Sequence, residues 1–307
     1  MAVQVRNTIA ANVDNVDKLM TALLDKNVRE LSPIYTKLFK KQSTGKKFER
    51  IVTVAPYGDV PQKPEGEEYS TDIIQQAYTK DVTPLEWGLM AEITETAEED
   101  DLESILSKHA KFLTFSMAQV AEKQAALIFA NGFTTQTTAD AVALYSTAHT
   151  LKRGGTAKNH PSSSADLSVT SLAQAFIDLD TDTKLESGQL VAPATGFYLH
   201  VAPANRFNAI RIVKSVKDPE SANNAVNPLS DLDITVVVNP FLTSDTDAWF
   251  LVPKSKDANG LIYLERRPVY QPPPMTDPRT GNRLYKLRAR MVWDSVDWRN
   301  NYGNPGA

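Results

Sequence analysis

Cysteine is missing from all 307 residues, which excludes a disulfide framework, a thiolate metal site and thiol-based catalysis. Any oligomer must therefore hold together non-covalently or through another linkage. Long hydrophobic runs are lacking too. No window approaches the roughly 18 to 20 apolar residues that span a bilayer, and the N-terminus has no apolar signal-peptide core. A soluble cytosolic product that does not leave by that route, with no membrane partner, is expected. Histidine is scarce at four residues, and His109, His149, His160 and His200 make no zinc-like spacing. Phosphate-cradling glycines are absent, since Arg153-Gly154-Gly155 lacks the lysine and the spacing, and no Gly-x-Gly-x-x-Gly follows a strand. Asp178, Asp180 and Asp182 echo a calcium loop, but Thr183 and Gln189 stand where glycine and glutamate are required. No metal, cofactor or nucleotide is expected on these grounds.

What is present is an ordinary folded composition, 42% hydrophobic and 23% charged, with a net charge of -4, in a chain long enough to bury a sizeable core. The charge is unevenly spread. Residues 1–50 sum to about +5, 51–110 to about -11, 111–260 to about -2 and 261–307 to about +4. Basic ends and an acidic early segment suit segments of different copies meeting with opposite sign, or else a set of solvated faces. The acidic balance argues against nucleic-acid recognition, which needs clustered lysine and arginine. The one dense basic run, Lys37, Lys40, Lys41, Lys46 and Lys47, suits an acidic partner segment of a neighbouring copy.

The most telling stretch is Glu98 to Asn131, an amphipathic helical pattern of about 34 residues, roughly 51 Å long if unbroken. Its acidic opening at Glu98, Glu99, Asp100 and Asp101 suits the helix dipole, and Asn131-Gly132 suits a C-terminal cap. Leu102, Ile105, Leu106, His109, Leu113, Ser116, Met117, Val120, Gln124, Leu127 and Ile128 form its stripe, without the heptad of a coiled coil. Upstream, Asn15 to Lys41 reads as helix, Lys40 to Lys47 as a mobile basic link, and Phe48 to Val54 and Tyr78 to Thr83 as strands. They flank a proline-bracketed acidic tip, Lys63 to Glu68, and such a ribbon is marginal alone. Downstream, Ser168 caps a helix to about Asp182 that buries Leu172, Ala173, Phe176 and Ile177. Pro203 to Ser215 is a second helix, with Phe207, Ile210, Ile212 and Val213 inward. Strands are expected at Phe197 to Val201, Trp87 to Ile93, Ile234 to Val238, Trp249 to Val252, Leu261 to Glu265 and Leu284 to Trp293, with a proline-rich turn at Pro268 to Pro278.

One constellation invites a catalytic reading: Ser146 and His149, with Asp140 just upstream. Triads are defined by geometry, and the Gly-x-Ser-x-Gly elbow is absent. A loop-anchoring role for His149 through its hydrogen bonds is the expected one, and an enzyme is not.

Taken in order, the pieces resemble the major capsid proteins of tailed phages with the Hong Kong 97 fold, an α+β fold, and most closely the major head subunit of Mu-like phages. The resemblance rests on Tyr78-Thr79-Lys80, Val82-Thr83-Pro84, Asn131-Gly132-Phe133, Leu144-Tyr145-Ser146-Thr147-Ala148-His149 and Asp166-Leu167-Ser168. It continues through Pro240-Phe241-Leu242-Thr243, Asp247-Ala248-Trp249-Phe250-Leu251, Gly281-Asn282-Arg283-Leu284-Tyr285-Lys286 and Asp297-Trp298-Arg299. It implies an N-terminal arm (1–47), an extended loop (48–83), a peripheral domain (84–164) with its spine helix (98–131), an axial domain (165–252) and strands returning to the peripheral domain (253–307).

The resemblance further implies a structural subunit that assembles as hexamers and pentamers into an icosahedral shell around phage DNA. The product would be a virion component assembled in the host cytoplasm, with scaffold, protease and portal as separate proteins. Opposite regional charges lead us to expect Glu65, Glu67 and Glu68 at the loop tip to meet Arg266, Arg267, Arg288 or Arg290 of an adjacent subunit. Lys63 is the position where relatives that cross-link their shells would do so. The alternatives are a nanocompartment shell of the same fold and a soluble hydrolase using Ser146 and His149.

Overall fold

The computed structural model describes residues 33–100, 109–217 and 226–307. The expected arm helix from Asn15 lies largely outside them. Its described end is a single short helix, α1 (Tyr35–Leu38), and the chain then enters a strand, β1 (Lys40–Ser43), where a mobile link was expected. Phe39 explains the change: it is fully buried and packs edge-on against Phe129, with ring centroids 5.9 Å apart. That contact is worth more than the local polarity of the lysines.

Strands β2 (Glu49–Ala55) and β3 (Gln75–Val82) pair antiparallel as the expected ribbon, from Glu49 opposite Val82 to Ala55 opposite Gln75. After β4 (Leu85–Ile93) come α2 (Glu95–Glu99) and the long helix α3 (His109–Ala130), with residues 101–108 of the expected spine outside the described chain. The helix ends where the sequence indicates, but Gly132 is not left-handed. Instead a Cβ there would lie 2.7 Å from the Tyr145 ring, and one at Gly303 would lie 2.5 Å from the same ring, so both positions need glycine for close approach. The buried face of α3 also differs from the expected stripe. Ala121, Ala125, Ala126 and Phe129 are buried beside Leu113, Met117 and Ile128, whereas Ser116 and Leu127 face outward. Alanines carry the close packing, and they are invisible to a search for large apolar residues.

The remaining elements are β5 (His149–Thr150), β6 (Thr156–Ala157), α4 (Val169–Asp182), β7 (Gly196–Val201), α5 (Arg206–Lys214), β8 (Asp233–Val238), β9 (Trp249–Pro253), β10 (Leu261–Tyr270), β11 (Met275–Thr276), β12 (Arg283–Ser295) and β13 (Tyr302–Asn304). Strand β10 runs on through Pro268, where a turn was expected.

The chain forms two compact units. One takes in 84–122 and 265–292, the other 34–83, 123–264 and 293–307. In the first, β4 pairs antiparallel with β12 from Ile93 opposite Arg283 to Leu85 opposite Met291. Along β12, Leu287, Ala289 and Met291 are buried and alternate with Lys286, Arg288 and Arg290 on the opposite face.

The second unit contains a four-stranded sheet of order β13-β9-β7-β8 in which only β7 and β8 are parallel. Both α4 and α5 cover one face of it. Leu172, Ala175 and Leu179 of α4 and Ala209 and Ile212 of α5 join Leu199, Val201, Trp249, Leu251 and Tyr302 in one buried cluster. The α4 start is a capping box: the Ser171 backbone N–H donates to Ser168 Oγ at 3.0 Å, and the Ser168 N–H donates to Ser171 Oγ at 2.9 Å. Two residues expected in the core, Ile177 and Phe207, lie on the surface instead.

The opposite face of this sheet carries His200, fully buried with neither ring nitrogen hydrogen-bonded and its ring 4.5 Å from that of Phe129. Burial pulls its pKa from 6.5 down to about 3. The unfolded chain therefore takes up a proton near pH 6.5 that the folded chain refuses until about pH 3. Stability is full above that window and falls as the pH drops through it. Replacing His200→Phe is expected to remove several kcal/mol of this acid sensitivity. Urea denaturation at stepped pH measures it, and an unchanged slope in the variant would contradict the assignment.

Candidate assembly surfaces

The ribbon is rooted by one lysine. Lys80 on β3, 17% exposed, donates to the Thr137 carbonyl at 2.6 Å, to Asp294 Oδ1 at 2.6 Å and to the Ser295 carbonyl at 2.7 Å. All three ammonium hydrogens meet oxygen, which is what makes its burial tolerable. Gln136 Nε2 donates to the same Asp294 oxygen at 2.6 Å, and Arg50 grips Asp81 across the ribbon through two bonds of 2.7 Å. Further out, the Tyr78 hydroxyl donates to the Thr150 carbonyl at 3.0 Å.

A second clamp sits where strand pairing ends. Arg153 donates from Nη1 to both Asp72 carboxylate oxygens at 2.8 Å and from Nη2 to the Ile73 carbonyl at 2.5 Å. The Gly58 N–H donates to Asp72 Oδ2 at 2.8 Å, so the carboxylate bridges both limbs of the loop. The Arg153 hydrogen bond, helped by the Gly58 and Ile73 amides, pulls the Asp72 carboxyl from 3.8 to about 2. Gln189 Nε2 adds a bond of 2.9 Å to Asp59.

Beyond the clamp the loop stands bare. Val60 is 95% and Tyr69 83% exposed, and Tyr57, Ile73 and Ile74 are exposed as well. The tip turns at Pro64–Glu67, where the Glu67 N–H reaches the Pro64 carbonyl at 3.3 Å, and Lys63 lies 4.8 Å over the Tyr69 ring. Among the described residues, Glu65, Glu67 and Glu68 make no ion pair.

Strand β12 presents a basic face of its own. Arg288 lies 5.6 Å over the Tyr270 ring, and the Nε atoms of Arg288 and Arg290 are buried without an acceptor. Gly88 stands opposite Arg288 and Glu86 opposite Arg290 on β4, but no ion pair forms there among the described residues. Arg266 is half-buried and Arg267 exposed on β10.

The candidate nucleophile is disarmed by its surroundings. His149 is fully buried, with Nδ1 2.7 Å from Asp140 Oδ2, Nε2 3.1 Å from Asn159 Oδ1, and its ring stacked at 4.4 Å and 8° on Trp298. Asn159 turns its amide nitrogen to the carbonyls of Leu144 and Trp298 at 2.7 and 3.2 Å, so its oxygen faces the histidine. Both imidazole nitrogens face acceptors, leaving none to take a proton from a serine. Ser146 Oγ instead accepts from the Ala148 N–H at 3.2 Å. The loop-anchoring reading of His149 holds, and Asn159 is the partner that sequence reasoning missed.

The described residues thus combine a rooted ribbon with an exposed apolar tip, a long helix and a sheet covered by helices on one face. A family model described as phage capsid protein matches residues 77–302, and the chain belongs to that family. No curated protein matches the sequence significantly. Among solved structures, the capsid of the cyanophage P-SCSP1u is similar with TM-score 0.62 and 11% identity over 90% of this chain and 88% of that one. The capsid of a native GTA particle follows with TM-score 0.59, 13% identity and 89% of each chain. The mature capsid of bacteriophage PhiM1 has TM-score 0.58 and 10% identity over 88% and 86%. The fold is thus the Hong Kong 97 type, and the protein is a structural shell subunit and not an enzyme.

Removing the clamp should loosen the loop without unfolding the body. Arg153→Ala is expected to speed limited proteolysis between residues 57 and 72 by about tenfold or more, with thermal denaturation otherwise close to wild type. Cleavage at the wild-type rate would show that the clamp does not hold the loop.

Proposed function

We propose that this chain is the major head subunit of a tailed phage, assembling as hexamers and pentamers into a closed icosahedral shell around double-stranded DNA. The carrying observation is the bare apolar loop beyond the Arg153 clamp, which no part of the described subunit covers. Repeated over many copies, its burial gives a cooperative lattice. Residues 1–47 serve as the arm, 48–83 as the extended loop, 84–164 with 253–307 as the peripheral domain and 165–252 as the axial domain. Kinship to Mu-like heads, assembly in the host cytoplasm, and separate scaffold, protease and portal proteins are parts of the same reading.

The charge distribution gives the loop a receptor. The exposed tip glutamates Glu65, Glu67 and Glu68 meet Arg266, Arg267, Arg288 or Arg290 of an adjacent copy, acid against base. Lys63 enters the same contact. The acidic balance of the chain keeps the wall from gripping the packaged phosphates.

Reversing Glu65, Glu67 and Glu68 to lysine is expected to abolish shell formation, seen by electron microscopy, while circular dichroism reports a folded subunit. Normal shells from that variant would remove the tip contact from the scheme.

A further inference from the structure

Helix α4 exposes one acid, Asp180, and helix α5 exposes three cations, Arg206, Arg211 and Lys214. The α4 sequence contains Asp178, Asp180 and Asp182 and no basic residue, and the α5 sequence contains Arg206, Arg211 and Lys214 and no acidic one. Inside the subunit Lys158 pairs with Asp178 at 3.0 Å and Lys184 with Asp182 at 3.1 Å. Asp180 is left exposed and unpaired, and no α5 cation meets a carboxylate among the described residues. Each flank also exposes a large apolar residue beside its charge: Ile177 is 54% exposed and Phe207 79%. Ile177 and Asp180 are three residues apart, and Phe207, Arg211 and Lys214 follow at steps of four and three, so each set forms one stripe along its helix.

The sheet keeps the two stripes apart. Helix α4 lies toward β13, since Asp178 accepts from the Tyr302 hydroxyl at 2.9 Å, whereas α5 packs on β8 at the other edge. One subunit therefore cannot bring its own stripes together, but a second copy can present one to the other. We infer that α5 of one copy docks on α4 of the next, Phe207 against Ile177 and Arg211 and Lys214 about Asp180. The contact is heterologous, joining different surfaces of identical chains, and such contacts close into rings when the rotation between copies permits. This inference rests on the shell-subunit reading and assigns these helices to the contact between neighbours within one ring.

The test is a charge exchange in the full chain. Asp180→Lys alone, and Arg211→Glu with Lys214→Glu, are each expected to cut the assembled fraction about tenfold or more in sedimentation velocity, because like charges then face each other. All three changes together should restore assembly to near wild type, and the thermal midpoint of the unassembled protein should not move in any variant. Wild-type assembly by either partial variant overturns the pairing. So does failure of the combined variant to recover, which would assign the α5 flank to some other partner. A wild-type chain that never assembles overturns the shell reading itself and this contact with it.

Discussion

Lys80 carries the constraint on which the rest of the subunit depends. A buried ammonium is costly unless every hydrogen finds an oxygen, and here Thr137, Asp294 and Ser295 supply three within 2.7 Å. That single side chain ties β3 to the turn after α3 and to the end of β12. A two-stranded ribbon is marginal in water by itself, so its root must be fixed before its tip can reach outward. The Arg153–Asp72 clamp then marks the boundary between what the subunit holds and what it leaves uncovered.

Past that boundary, burial logic inverts. Val60, Tyr69 and Ile73 are exposed on a loop with no core beneath it, and the same inversion appears at Ile177 and Phe207 on the helices flanking the sheet. On the proposed shell reading, such residues are the surfaces that a neighbouring copy covers. Charge follows the same division. Arg50–Asp81, Arg299–Glu186 and Lys158–Asp178 are paired internally, whereas among the described residues the tip glutamates, Asp180 and the α5 cations meet no opposite charge. Opposite-sign surfaces left open in this way steer register and suppress wrong partners more than they add affinity.

Much of this was legible in the sequence. The strand-forming run Leu284 to Trp293 marked β12, Ser168 marked the start of α4, and Asn131-Gly132 marked the end of α3, because these signals are local in origin. The loop and its proline-bracketed tip were legible from the absence of core-forming residues. Three things were hidden. Amphipathic periodicity cannot separate a face buried within the subunit from one reserved for another copy, so Ile177 and Phe207 were assigned inward. The packed side of α3 is lined in part by alanine, which carries little hydrophobic weight yet allows close approach. Strand β1 replaced a basic link because Phe39 finds Phe129, a contact 90 residues away along the chain that no local pattern announces. His149 was read correctly as an anchor, but its partner Asn159 and the stacking of Trp298 required coordinates.

Whether the polypeptide is incomplete alone is open to direct measurement. Sedimentation velocity of the purified chain over rising concentration, with electron microscopy of the heaviest fraction, should show a shift from subunit to rings of six, tubes or closed shells. A chain that stays monomeric throughout, its loop protected from proteases by its own body, would contradict the shell-forming role.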